Sequence, residues 1–261
     1  MQIIWQDSAS TAYEDARIDR LFNYPHPERF SLAVVKVAFE EDVKATIKLA
    51  IEHKCRVAVR SGGQSWAVWS VRDNSILIDL GDYKDLDVDA ENQIARVTPS
   101  ITGQELNSVL VEEHGLMFPG GHCPNVGLGE GNWGWSCERV LAVDVVTAAG
   151  ELLHCNAVQH QELYWAARGA GPGFPGVVTK FHLSLNPYPK RGFRSSGYIY
   201  PKKHYHKAVD WIISITPGFD NDTEISAISH YPAGKDEIHF LILFVVMKDT
   251  PEVAEQALSS A

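Results

Sequence analysis

Along the first 190 residues, short apolar runs alternate with amphipathic stretches, the pattern of strands and helices in turn. Residues 40–53 place Val43, Ile47, Leu49, Ala50 and Ile51 near helical spacing and predict a helix with one apolar face. Residues 55–59 predict a short strand that runs into a Gly-Gly loop. Residues 75–80 (SILIDL) predict a second strand, and residues 93–101 a third, entered through the turn-rich segment 87–92. Thr102 with Glu105 three residues on is a capping-box pair that opens a helix, and Gly115 closes it. Residues 139–147 and 151–155 predict a hairpin turning at Ala148-Ala149-Gly150. A short helix over 161–167 and a half-buried strand over 177–185 follow. Asn186-Pro187-Tyr188-Pro189 breaks the pattern. Beyond it the sequence predicts a strand near Tyr198, a helix over 202–215, strands over 224–229 and 237–247, and the start of a helix at Glu252. The division expected is a first domain over 1–190, with its core at about 27–188, and a second over 191–261.

Composition adds mostly exclusions. Apolar residues make up 45% of the 261 and charged residues 21%, ordinary values for a globular chain. The formal charge of −10 opposes a surface that tracks nucleic-acid phosphates, so no nucleic-acid partner is expected. The longest apolar run, 240–247, is far short of the roughly 20 residues a membrane helix needs. The N-terminus has no basic segment followed by an apolar one, so no signal peptide is visible and a cytoplasmic protein without membrane partner is expected. Cys55, Cys123, Cys137 and Cys155 lie far apart and read as reduced thiols. The glycosylation triplet Asn221-Asp222-Thr223 reads as a chance match.

Two glycine-rich segments carry candidate chemistry. In residues 59–66 (VRSGGQSW), adjacent glycines after an apolar strand let several backbone amides point one way. Such a nest binds an anion, typically a pyrophosphate, and Arg60 and Ser61 add donors; an ordinary tight turn is the other reading of the dipeptide alone. Residues 118–129 (FPGGHCPNVGLG) make a poor core and a good close-contact loop, suited to lie against a flat cofactor or simply to connect elements at the surface. A third segment, Gly171-Pro172-Gly173-Phe174-Pro175-Gly176, spells G-x-G-x-x-G. It stands between a predicted helix and a predicted strand, the reverse of the nicotinamide-binding context, and its two prolines lack amide donors.

A metal site is not expected. The adjacent pairs His122-Cys123 and His154-Cys155, with Cys137 between them, lack zinc-ligand spacing, and neighbours on an extended segment point to opposite faces. The G-x-S-x-G elbow of serine hydrolases is absent.

Several segments in order give a resemblance. CRVAVRSGGQSWA, SILIDLGDY, GLMFPGGHCPNVGLG, ERVLAVDVVTAAGELL, ELYWAARGAGPGFPGVVTKFHL and the NPYP exit resemble the FAD-linked oxidases of the vanillyl-alcohol-oxidase and p-cresol-methylhydroxylase type, nearest the berberine-bridge-enzyme-like branch. The resemblance implies an α+β fold: a two-part FAD-binding domain of p-cresol-methylhydroxylase type, then an incomplete antiparallel-sheet substrate domain. It implies that Arg60, Ser61, Gly62, Gly63, Gln64 and Ser65 hold the FAD pyrophosphate. Pro119, Gly120, Gly121, His122, Cys123, Val126, Gly127 and Gly129 would run along the isoalloxazine, and Gly176, Val177 and Val178 would contact the adenine-side half.

The implied reaction takes hydride from a C–H next to O or N of a small organic substrate to flavin N5, with O2 or another acceptor reoxidising the flavin. In many members a histidine of the first loop is bonded to the flavin and a cysteine of the second can be. Here those positions are Gln64 and Cys123, so noncovalent FAD and a bond through Cys123 both stay open.

Two departures are visible. About a dozen residues of the family's glycine-rich stretch are missing near 129–135, and roughly 200 residues that complete the substrate domain do not follow. An oxidoreductase and a truncated, inactive FAD-binding relic therefore both remain as readings. Tyr198, Tyr200 and His230 are candidate bases that read equally as structural residues, and no catalytic residue is assigned.

Overall fold

The computed structural model describes residues 1–6, 11–21, 26–121, 123, 125, 136–189 and 192–259. His122, Val126, Gly127, Gly129 and the short stretch 129–135 lie outside them. The described residues form two compact units, one up to residue 186 and one from residue 187.

Among its described residues the first unit is built on a four-stranded and a five-stranded sheet. Its N-terminal half runs β1 (Gln2–Trp5), α1 (Thr11–Ile18), β2 (Ala33–Lys36), α2 (Glu40–Glu52), β3 (Arg56–Arg60) and β4 (Ser75–Asp79). The strands lie in the order β1-β2-β4-β3, with β4 parallel to both neighbours and β1 antiparallel to β2. Helix α2 lays Val43, Ile47 and Ala50 over Val35, Ile76 and Ile78. Helix α1 covers the opposite face, with Tyr13 and Ala16 against Val34, Ala58 and Leu77. With both faces covered, every residue of β4 is buried, which is why its centre, Ile76-Leu77-Ile78, is continuously apolar rather than alternating, with Ser75 and Asp79 at its ends.

The second half continues with β5 (Leu86–Asp89), β6 (Ile94–Val97), α3 (Gly103–Val109), β7 (Leu116–Met117), β8 (Val140–Thr147), β9 (Leu152–Asn156), α4 (Gln161–Ala167) and β10 (Gly176–Ser184). Five strands pair antiparallel in the order β5-β6-β10-β8-β9. One face buries Ala95, Val97, Val143, Val145 and Leu183 against Leu106, Leu110 and Tyr164. The expected capping box is formed: Thr102 Oγ1 accepts from the Glu105 amide, and the Glu105 carboxylate accepts from the Thr102 amide at 2.8 Å. Gly115 ends that helical segment at a φ of 64°.

The start of the second half differs from the expectation. Residues 87–89, read as turn, belong to β5, because Asp87 and Asp89 stand on the outer face and pair with Arg96 of β6. Strands β1 and β2 and helix α1 were not anticipated individually; four-residue strands and an eight-residue helix carry little periodicity.

After the two-residue β11 (Asn186–Pro187), the second unit contains β12 (Phe193–Pro201), α5 (Tyr205–Ile215), β13 (Thr223–His230), β14 (His239–Met247) and α6 (Pro251–Leu258). Strand β14 is central and antiparallel to both neighbours. Its alternate residues Phe240, Ile242, Phe244 and Val246 are buried, and the first three form a core with Ala208 of α5. No helix among the described residues is long and apolar enough to cross a membrane.

Candidate cofactor site

Strand β3 delivers the first glycine loop. Arg60, at its end, pairs in register with Asp79 of β4. The Arg60 guanidinium is wholly buried. It donates to the Asp79 carboxylate at 2.7 Å and to the carbonyls of Ala16 and Arg17 at 2.6 and 2.8 Å. Burial alone would raise the Asp79 pKa. The Arg60 charge and hydrogen bond, the Gly81 amide and Arg20 outweigh it and hold the carboxyl below its usual range. The donor expected from Arg60 is thus spent inside the protein, and its side chain anchors the loop instead of facing a ligand.

The loop itself is tightly seated. Gly63 has a φ of 80°, and a Cβ there would lie 2.3 Å from the Arg20 carbonyl oxygen, so only glycine fits. A Cβ at Gly62 would meet the Gln64 side chain in ordinary contact at 3.9 Å. Ser61, Gln64 and Ser65 are half-buried.

A cleft of about 630 Å³ opens beside this loop, within the usual range of ligand pockets. Ser61 and Trp69 line it from the first sheet's side, Val146 and Thr147 from β8, and Gly176, Val177 and Val178 from the start of β10. Two sequence candidates 115 residues apart, Ser61 and Gly176, thereby share one cavity. Phe174 and Pro175 of the G-x-G-x-x-G segment also line it. Helix α4 precedes that segment and β10 follows, so it is a wall of the cleft and not the turn of a nicotinamide fold. Trp69 and residues 146–148 were not anticipated. Trp69 offered only its exposure as an aromatic, and 146–148 read as strand and turn.

The second glycine segment lies elsewhere. The Asn107 side chain accepts from the Phe118 amide at 2.8 Å and donates to its carbonyl at 3.1 Å, which pins the entry to the segment. Ser136 Oγ donates to the Pro119 carbonyl at 3.1 Å. Gly120 faces open space, and Gly121 and Cys123 are exposed. None of these residues lines the large cleft. Of the candidate bases, Tyr198 packs edge-on against Trp211 and Phe244 in the second unit's core, and Nδ1 of His230 is buried without a hydrogen-bond partner among the described residues.

The fold is an α+β domain with a cleft of ligand-pocket size. Residues 31–156 match the FAD binding domain family. An FAD-linked oxidoreductase of Penicillium ochrochloron is 37% identical over 266 residues, spanning 98% of this chain and 58% of that protein. The chain is thus similar to FAD-linked oxidoreductases along nearly its whole length, and its residues 31–156 to an FAD binding domain. Among solved structures, 6-hydroxy-D-nicotine oxidase from Arthrobacter nicotinovorans superposes with a TM-score of 0.85 at 19% identity, over 99% of this chain and 58% of that one. Berberine bridge enzyme from Eschscholzia californica gives 0.85 at 19%, over 99% and 55%. These two share the fold. The chain therefore spans somewhat over half the length of the relatives it matches.

The residues fit the family's cofactor. An apolar cleft runs up to a loop in which Gly63 sits where no Cβ fits and Gly62 leaves room for a close approach.

Proposed function

We infer that this chain holds the FAD of an oxidoreductase acting on a small organic molecule. The observation that carries the reading is the shared cleft of Ser61 with Gly176, Val177 and Val178. Ser61, Gly62, Gly63, Gln64 and Ser65 would hold the pyrophosphate through backbone amides and short side chains. Arg60 would position that loop from behind through Asp79. Gly176, Val177 and Val178 would contact the adenine side. Pro119, Gly120, Gly121 and Cys123, with His122, Val126, Gly127 and Gly129 outside the described residues, would pass along the flavin ring.

When bound, FAD supplies two-electron redox chemistry, taking hydride at N5 from a carbon next to O or N and being reoxidised by O2 or another acceptor. The protein's share is to orient the reacting carbon and exclude water. Residues 1–190 would form the FAD-binding domain and 191–261 part of a substrate domain. A glutamine amide cannot act as the nucleophile that an imidazole is, so any covalent attachment falls to the exposed thiol of Cys123.

Absorbance of the purified protein tests the reading. Flavin bands near about 370 and 450 nm, present at isolation or gained on adding FAD, are expected. Ser61→Phe, which fills one end of the cleft, should weaken FAD binding at least about tenfold. A folded protein that stays colourless with excess FAD would overturn the proposal. Mass spectrometry of the Cys123 peptide reads out the attachment.

A further inference from the structure

The face of the five-stranded sheet opposite Val143 and Val145 carries a cluster that does not line the cofactor cleft. Asp144 of β8 stands directly opposite His154 of β9, and His182 comes from β10 on the other side of β8. Asp144 Oδ1 lies 2.6 Å from His154 Nδ1, and Oδ2 lies 3.1 Å from His182 Nε2. The two imidazole rings meet edge to face at 4.9 Å. One ligand atom from each residue lies within 4.8 Å of the other two. Asp144 and His182 are half-buried, while His154 reaches solvent and leaves one side of the cluster open.

The backbone is built irregularly at this point. The β8–β10 ladder shifts register between Val178 and Lys180 and again between His182 and Leu183, so His182 sits between two bulges. Bulges concentrate where a strand must re-aim a side chain. The surrounding field is acidic. Lys180, opposite Asp144, is taken up by Asp85 at 2.8 Å, and Arg96 by Asp87 at 2.6 Å. Burial, reinforced by the carboxylates of Glu40, Asp85, Glu41 and Asp144, pushes the nearby Tyr83 phenol up to about 12.

We propose that Asp144, His154 and His182 form a binding site for a divalent transition-metal ion of the zinc class, with water completing its shell. Two imidazole nitrogens and one carboxylate oxygen suit zinc, cobalt, nickel or copper, whereas calcium and magnesium favour all-oxygen shells. Bonds of roughly 2.0–2.2 Å place tetrahedral ligands about 3.4 Å apart, so the 2.6 and 3.1 Å contacts need open by less than about 1 Å, and the widest separation of the three ligand atoms, within 4.8 Å, need close by no more than about 1.4 Å. The exposed His154 can move that far without disturbing the core. A bound ion would tie three strands together. Two of them, β8 and β10, supply Val146, Val177 and Val178 to the cleft.

Zinc titration of the full chain by calorimetry, after chelator treatment, tests this. One equivalent should bind to the wild type. Affinity should fall at least tenfold in Asp144→Asn, His154→Ala and His182→Ala and stay unchanged in His114→Ala, an exposed histidine outside the cluster. His154→Gln, polar and at an exposed position, serves if an alanine variant misfolds. Cobalt(II) added to the wild type should give visible bands of protein-bound, low-coordinate metal, which zinc displaces. A wild type without stoichiometric zinc binding or cobalt bands, or zinc binding that survives loss of His154, would overturn the site.

Discussion

Asp79→Asn tests whether the buried pair behind the first glycine loop holds that loop in place. The Arg60 side chain is 0% exposed and that of Asp79 2%. The substitution removes the negative charge and leaves the guanidinium buried. Breaking a buried pair from one side costs about 3–5 kcal/mol. Two backbone carbonyls still accept from Arg60, so the lower end, about 3 kcal/mol, is expected. That is a large share of the ~5–15 kcal/mol by which domains are stable.

Urea unfolding followed through the first unit should show the midpoint moving down at nearly constant slope. The double variant Arg60→Met, Asp79→Leu should lose less than the sum of its single changes, because no charge is stranded. The pH dependence has a definite sign. Asp79 is held below its unfolded value of about 3.9. Its contribution is therefore complete above about pH 4 and lost as pH falls through the folded pKa. The gap between wild type and Asp79→Asn should be flat from about pH 7 to 5 and narrow below about 4. A loss under about 1 kcal/mol at pH 7, or a gap that does not change with acid, would refute the reasoning.

Three further outcomes are expected. Gly63→Ala should cost at least about 2 kcal/mol in the same urea assay, since its φ of 80° and the Arg20 carbonyl 2.3 Å from the new Cβ both oppose it. Thr102→Ala should cost about 1 kcal/mol by removing the cap of α3, with Glu105→Gln costing less because Gln still closes the box. Iodoacetamide should alkylate the exposed Cys123 before the buried Cys155, whose thiol is pushed up by burial and then by Asp144. Peptide mass spectra over time check that order, and early labelling of Cys155 would show β9 to be less secure than its packing implies.

The sequence was most informative where one chemical rule dominates. The helix at 40–52, the run at 75–79 and the Thr102–Glu105 cap were all legible, because apolar spacing and capping are local. The fold class and the likeness to FAD-linked oxidoreductases were legible from ordered motifs, which no single glycine pair could establish. What was not legible depends on contacts across the chain. Nothing local says that Arg60 turns inward to Asp79 and two carbonyls of α1. The rule that adjacent strand residues diverge was sound: Cys155 is buried and His154 exposed. Yet it could not show that His154 meets Asp144 and His182, since those partners are set by strand order.

The cleft has a consequence for how the chain reaches its native state. Its walls come from residues 47–80 and 146–178 with Pro99, and Val146 and Val177 share one apolar cluster with Val35, Val43 and Ile78. These contacts span roughly a hundred residues, so closing them is entropically slow and comes after the local helices and hairpins. A ligand that needs both walls can be captured only once the two sheets have joined. It would then stabilise the assembled state by mass action. Under the proposed function, FAD supply during synthesis would thus influence how much folded chain accumulates.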